Sequence, residues 1–283
     1  MKSLLYAIVS LFIFFLPGCS GLPKSGADEV DKRLEASIQQ TLKMRNIGAD
    51  IEVERLAKLN KPQGFYFYKI TIKDSNRRNS QEQYIFFNGK YIAPDFINYE
   101  NNLSLSRELQ FEHSYTEIDT SNLPLINGVR GAKNIIVKIT DFECQYCRAA
   151  NAYLEDKLKE REDVAVYIVH FPLTNIHKKA ELLAKIFEAG NLMEKNFSHE
   201  LFSNDALLSM TDTDIIAYFA SKSGDDSKFN ELVASDDIAQ RIRDAVQLAQ
   251  SFGVNATPVI YINGKRIEGF DASLINNAIE SFK

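Results

Sequence analysis

The sequence predicts an α/β protein preceded by a small α+β module, and three observations carry that reading. A strand-like run, Asn134-Ile135-Ile136-Val137-Lys138-Ile139-Thr140, gives way to a helix-like one from Ala149 to Glu160, and a second apolar run follows from Val164 to Val169. That alternation belongs to an α/β module. Upstream, one amphipathic helix precedes several hairpin-like strands and no chemical motif. The 283 residues, 45% of them hydrophobic, suit two domains rather than one.

From the N-terminus, Lys2 is a minimal positive flank and Leu4 to Leu16 an apolar run of 13 residues, closed by Leu16-Pro17-Gly18-Cys19. A spanning helix needs about 20 residues, so the run reads as an export signal. Ending on a small residue and a cysteine, residues 1–19 resemble a bacterial lipoprotein signal in which Cys19 becomes the lipidated first residue. Ser20, a residue other than Asp, resembles the pattern sorted to an outer membrane. An ordinary cleavable signal, leaving Cys19 as an odd thiol, is the alternative. Export sets an envelope compartment in which disulfides persist. Loss of residues 1–18 removes one lysine and moves the net charge from −5 to −6, which argues against nucleic acid or anionic lipid as a partner.

Residues 20–27 form a Pro/Gly/Ser-containing tether. Asp28 then opens a helix in which Val30, Leu34, Ile38 and Leu42 recur every four residues, ended by Asn46 and Gly48. Strands are expected at Ile51 to Leu56, Phe65 to Ile72 and Tyr84 to Phe87, with Asn88-Gly89 turning into Lys90-Tyr91-Ile92. This is the α+β module, residues 28–103. The run Phe65-Tyr66-Phe67-Tyr68 puts aromatics on both faces of a small sheet, which fits either a buried interface or two-sided core packing. Residues 104–127 are polar and mixed and read as a linker, with Ser104 to Leu109 as a linker helix. The second module, residues 128–283, continues past Val169 with helices at His177 to Gly190, Leu192 to Phe202, Thr213 to Ser221 and Asp236 to Phe252. A strand at Val259 to Ile262, an Asn263-Gly264 turn, Lys265-Arg266-Ile267 and a helix from Asp271 complete it.

The chemistry sits at Cys144-Gln145-Tyr146-Cys147, the only CxxC in the chain. A cysteine at the start of a helix meets unpaired N–H groups and partial positive charge, which stabilise its thiolate. Such placement lowers a thiol pKa from about 8.5 into the ~3.5–7.5 range. The second cysteine, three residues on, can close a disulfide. Structural zinc would need a second ligand pair. Cys19 and the unclustered His113, His170, His177 and His199 do not supply one, so no metal is expected. A purely structural bridge across two residues would restrict the unfolded chain least.

Downstream, His170-Phe171-Pro172-Leu173 follows the second strand, and Gly253-Val254-Asn255-Ala256-Thr257-Pro258-Val259 opens a later one. With Thr140-Asp141-Phe142-Glu143 before the cysteines, these motifs resemble the bacterial Dsb (DsbA/DsbC/DsbG-like) thiol–disulfide oxidoreductases. The resemblance implies a thioredoxin-like fold over residues 128–283, with a helical insertion at about 177–252. It also implies a cis Pro258 facing the cysteines, with Thr257 and Pro258 offering backbone to substrate. An X–Pro bond costs only about 0.5–1 kcal/mol in the cis form; a trans proline opening an edge strand is the alternative. The first module resembles the N-terminal dimerisation domain of the isomerases in position, size and hairpin content.

Departures from the family fall on four residues expected to tune redox behaviour. Lys138 stands six residues before Cys144, where many relatives carry an acid; charged it would favour thiolate, and desolvated it would titrate low. Glu143 should push the other way. Gln145 and Tyr146 supply no cationic group, and Tyr146 with Thr257 looks more like the isomerase branch. His177 reads as a surface or capping histidine, or as a residue bearing on the site.

These expectations describe an envelope lipoprotein, anchored by lipid, that exchanges disulfides with cysteine-containing exported proteins. Cys144 is the exposed attacking thiol and Cys147 the buried resolving one. No cofactor is needed, since electrons pass through the thiols and a membrane redox partner, and a homodimer is expected. Disulfide isomerase and oxidase activities both stay open. A lipoprotein with chaperone-like or surface-binding function and redox-idle cysteines is the reading from a different class.

Overall fold

In the computed structural model, residues 27–74, 80–100 and 102–282 are described. The signal segment, Cys19 and all of the tether but Ala27 lie outside the described residues. The chain divides into two compact units at His113/Ser114.

In the first unit, helix α1 (Ala27–Met44) carries Asp28 and Glu29 in its first turn and Lys43 in its last, complementing the helix dipole. Asn46, at φ 53°, ends it, and the Ile47 N–H returns to the Leu42 carbonyl. Val30, Leu34, Ile38 and Leu42 are all buried, as their spacing requires, on one face of an antiparallel sheet. That sheet runs in the order β1 (Ala49–Lys58), β2 (Tyr66–Asp74), β3 (Ser80–Phe87), β4 (Ile92–Ala93). Tyr68, Ile70, Ile72, Ile85 and Phe87 face α1, and a bulge between Arg55 and Ala57 turns the end of β1 toward the other face. The Tyr68 hydroxyl, buried in this layer, donates to Asp31 Oδ1 at 2.7 Å, and Arg55 pairs with the same carboxylate at 3.2 Å. Without that acceptor a buried hydroxyl would cost about 1–3 kcal/mol.

The opposite face decides between the two readings of the aromatic run. Phe67 and Phe86 are fully buried beneath Phe96, Leu105 and Leu109. A short hairpin of β5 (Ile97–Asn98) and β6 (Leu103–Ser104) leads into α2 (Leu105–His113), which supplies the two leucines. The aromatics are therefore two-sided core packing, and the interface reading is corrected. The linker expected at 104–127 is corrected too. Leu105 and Leu109, one helical turn apart, close the first core, while Leu125–Asn127 forms strand β7 in the second unit. The turn at Asn88-Gly89 is also longer than expected: Asn88 accepts the N–H groups of Lys90 and Tyr91, and pairing resumes at Ile92.

The second unit is a five-stranded mixed sheet in the order β11 (Lys265–Glu268), β10 (Val259–Ile262), β8 (Asn134–Thr140), β9 (Val164–His170), β7. Strands β8 and β9 are parallel and connected by α3 (Gln145–Leu158); β10, β11 and β7 join antiparallel. Val137 and Ile139 of β8 and Tyr167 and Val169 of β9 pack against Ala245, Val246 and Ala249 of α8 (Asp236–Ser251). Lys138, one residue out of phase, points to the α3 side, where its amine meets Asn151. The β10–β11 hairpin turns at Asn263 and Gly264, both at positive φ. A Cβ at Gly264 would also lie 2.7 Å from the Tyr115 ring.

Between β9 and β10 lies a helical insertion: α4 (Ala180–Leu192), α5 (Ser198–Ser203), a 3-10 turn (Asp205–Ser209), α6 (Asp212–Ser223), α7 (Asp226–Val233) and α8. Its helix starts are written in side chains. Thr211, Asp225 and Ser235 each accept an N–H of the following first turn, as Asp271 does for α9 (Ala272–Glu280). The expected helix from Leu192 to Phe202 is interrupted: Met193 and Lys195 N–H groups both return to the Gly190 carbonyl, and Glu194 takes φ 59°. The expected start at His177 moves to Ala180, because 173–177 is held in a turn by Asp141. Helix α7 was missed between two stronger periodic segments.

Candidate active site

The segment between β8 and α3 is fixed before the first cysteine is reached. The Asp141 carboxylate is buried and accepts the Glu143 N–H at 2.8 Å, the Leu173 N–H at 2.9 Å and His177 Nδ1 at 2.7 Å. Its own carbonyl accepts the Cys144 N–H at 3.2 Å. Arg148, one turn into α3, donates to the carbonyls of Phe142 and Leu201 and pairs with Asp205 at 2.8 Å, tying the loop to the insertion. Glu143 Oε2 accepts the Lys179 N–H at 2.7 Å, at the residue that caps α4. Asp141 and Arg148 were not singled out from sequence; the partners that tie them to other elements lie 32 to 57 residues away, and no local pattern encodes that. His177, left between two readings, binds a loop that presents the cysteines.

Cys144 is the N-cap residue of α3, with φ −66° and ψ 120°, and Cys147 lies in its first turn. Both are free thiols. The expected exposure of Cys144 is corrected: it is 6% exposed, against 2% for Cys147. The order of accessibility is as expected, but Cys144 is covered because its Sγ lies 3.7 Å from the Thr257 carbonyl oxygen and against Phe142 and the apolar core of the insertion. The Thr257–Pro258 peptide is cis. The Thr257 hydroxyl is buried with no hydrogen-bond partner among the described residues. It also lies where it favours the thiolate of either sulfur.

The two sulfurs titrate far apart. The Cys147 side chain hydrogen-bonds to Cys144 and, outweighing burial, brings the Cys144 thiol down to about 6, helped by Thr257 and the N–H groups of Cys147 and Tyr146. Burial, then the hydrogen bond and charge of Cys144, pushes the Cys147 thiol far up. At neutral pH the pair is thus one thiolate and one thiol, which is the division needed for an attacking and a resolving sulfur. Gln145 and Tyr146 turn outward, Tyr146 being 66% exposed, so Tyr146 acts on Cys144 through its backbone N–H. The carboxylate of Glu143 is engaged at α4 rather than at the sulfurs. Lys138 is buried on the Cys147 side of the site. Among the described residues, no group of three or more His, Cys, Asp or Glu side chains could hold a metal ion.

Residues 120–281 match the family model described as thioredoxin. Over 162 residues the chain is 30% identical to the Na(+)/H(+) antiporter NhaA 1 of Mycolicibacterium vanbaalenii, a match covering 55% of this chain and 26% of the antiporter. It is 31% identical over 148 residues to the antiporter NhaA 3 of Salinispora tropica, covering 51% of this chain and 22% of that protein. The chain thus spans about a quarter of the length of these curated relatives. Among solved structures, the thiol-disulfide exchange protein alpha-DsbA2 from Wolbachia pipientis aligns with a TM-score of 0.50 at 19% identity, over 62% of this chain and 91% of that one. That likeness is one of fold.

The titration order makes the first prediction. Iodoacetamide added to the reduced protein should label Cys144 before Cys147, with a rate that falls off as pH drops through about 6. Peptide mapping across a pH series reads both; first labelling at Cys147 would reverse the assignment.

Proposed function

The chain belongs to the thioredoxin family, and from that premise we propose that it is a thiol–disulfide oxidoreductase acting on cysteine-containing exported proteins. The observation that carries the reading is the Cys144 sulfur, titrating at about 6 at the start of α3 and 3.7 Å from the Thr257 carbonyl. The Cys144 thiolate attacks a substrate disulfide, one substrate sulfur leaves, and a mixed disulfide forms. Cys147 then attacks Cys144, releasing the second substrate sulfur and closing the Cys144–Cys147 bond. Run backward from the disulfide, the same steps oxidise a substrate dithiol. Thr257 and Pro258 present the backbone edge against which the substrate segment lies, next to the exposed Tyr146. Neither step calls for a metal or an organic cofactor.

The finer reading follows from the N-terminal sequence and the resemblance to the Dsb group. The protein works in the envelope, held to a membrane through a lipidated Cys19, the outer membrane in a two-membrane cell, and its thiols are reset by a membrane redox partner. Among the described residues no helix is long and apolar enough to cross a membrane. An isomerase role, with Cys144 kept reduced, draws on Tyr146 and Thr257; a homodimer through residues 28–103 would hold substrate for repeated attack. The aromatic run no longer supports that dimer, since its side chains fill the unit's own cores.

Reduction of insulin should proceed with the wild type and be lost in Cys144→Ala, while refolding of a scrambled multi-disulfide substrate separates isomerase from simple exchange. Equal insulin turnover by wild type and Cys144→Ala would end the enzymatic reading and leave a binding lipoprotein. Fractionation and light scattering test the rest. Wild type should sediment with membranes and Cys19→Ala should not, and residues 20–283 should show twice the chain mass. A soluble wild type would remove the anchor, and a monomer the dimer.

A further inference from the structure

Lys138, 3% exposed in β8, lines a cavity of about 220 Å³ between α3, the sheet and residues 196–199 of the insertion. Neither cysteine lines it. An ammonium carries three donors. Asn151 Oδ1 accepts one, the Phe202 ring centre lies 4.5 Å away, and among the described residues no carboxylate pairs with the amine. The other polar groups of the lining satisfy one another. Asn151 Nδ2 donates to Glu155 Oε1 at 2.9 Å, and Glu155 Oε2 meets Nδ1 of the exposed His199 at 2.9 Å. Asn196 donates to the Ile126 carbonyl at 2.8 Å and accepts the Ser198 hydroxyl at 2.6 Å. The remaining inner wall is apolar: Leu154 and Leu158 of α3 and Val166 of β9, all buried.

We propose that this cavity binds a short aliphatic monocarboxylate, its carboxylate on the Lys138 ammonium and its alkyl chain against Leu154, Leu158 and Val166. Three features select that class. The lining has a buried cation with donors to spare, and a carboxylate supplies both the charge and the acceptors it lacks. Buried charges are tolerated when paired, so the ligand relieves a cost that the chain itself leaves standing. An apolar cavity of about 150 Å³ holds benzene, so this one has room for about five or six non-hydrogen atoms. A phosphate or sulfate would need further donors where Leu154, Leu158 and Val166 offer none.

Binding is linked to protonation. Burial pushes Lys138 down to about 7, against the upward pull of Glu155 and Cys147. Those two, both from α3, are the charged or titratable groups acting on the amine. His199 of α5 acts on Glu155, while Phe202 and the strand neighbours in register, Ile168 and Ile260, bring no charge. A bound carboxylate favours the ammonium, so the lysine pKa rises in the complex. Below pH 7 the ligand meets an amine already charged. Above it, binding takes up a proton and affinity falls.

Calorimetric titration of the full-length protein with sodium acetate, propanoate and butanoate, in buffers free of carboxylate, tests the site. At pH 6 propanoate should bind one to one with a Kd of about 1 mM or tighter. Each added methylene should tighten binding about four-fold. Propanamide, the uncharged isostere, should bind at least about ten-fold more weakly, since it cannot pair with the ammonium. Between pH 7 and 9 affinity should fall by up to about ten-fold per unit. Buffers of different ionisation enthalpy should report uptake approaching one proton per ligand at pH 8. Lys138→Met should lose binding at every pH. No saturable binding of any of the three acids overturns the proposal, as does propanamide binding equally well or an affinity that ignores chain length. Unchanged binding in Lys138→Met overturns it too. Should that variant not fold, binding by wild type at pH 8 without proton uptake does the same. No thiol takes part in these readings, so their failure would leave the exchange reading untouched.

Discussion

The Asp141 carboxylate has to be buried for the site to exist, and the surrounding loops are arranged to make that tolerable. A buried carboxylate is costly unless hydrogen-bonded, and this one meets two backbone N–H groups and the His177 ring. Those three bonds draw the segment before α3 and the segment after β9 together. The Asp141 carbonyl then holds the Cys144 N–H, so Cys144 enters the helix as its cap. Loss of that anchor would free the first turn, and with it the N–H groups that favour a thiolate.

From that anchored turn follows the difference between two chemically identical side chains. Cys144 lies where helix N–H groups, the Cys147 side chain and Thr257 converge, and Cys147 lies one turn deeper in apolar packing. Only one of the two is nucleophilic at neutral pH. The insertion contributes as well: Phe187, Leu201 and Phe202, together with Phe142 of the loop before α3, make the apolar bed on which the cysteines rest, and Arg148 straps the turn to α5. The same depth that silences Cys147 makes its deprotonation the harder step.

Much of this was legible in the chain before any coordinates. The CxxC, the Thr257-Pro258 pair and the four-residue spacing of Val30, Leu34, Ile38 and Leu42 are local signals, and local signals survive into the fold. What stayed illegible depends on distant partners. Nothing near Asp141 announces Leu173 or His177, and nothing near Glu143 announces Lys179. The segment 104–127 looked like a linker because its apolar residues are sparse. Yet Leu105 and Leu109 are the lid of one core and Leu125 is an edge of another. Phe65 to Tyr68 posed a question that sequence cannot answer, because an aromatic on the second face of a sheet looks the same whether its cover is a neighbouring molecule or a short helix of its own.

The central claim is that the fold holds Cys144 as a thiolate and Cys147 as a thiol. The pH dependence of the Cys144/Cys147 reduction potential, measured by equilibration with glutathione, tests it most directly. Two protonated thiols release two protons with two electrons, a slope of about 59 mV per pH unit; one thiolate and one thiol release a single proton, about 30 mV. The structure predicts the shallow slope at neutral pH and a break to the steep one near pH 6. A steep slope continuing unbroken through neutral pH would mean that Cys144 ionises like any ordinary cysteine, and would contradict the account.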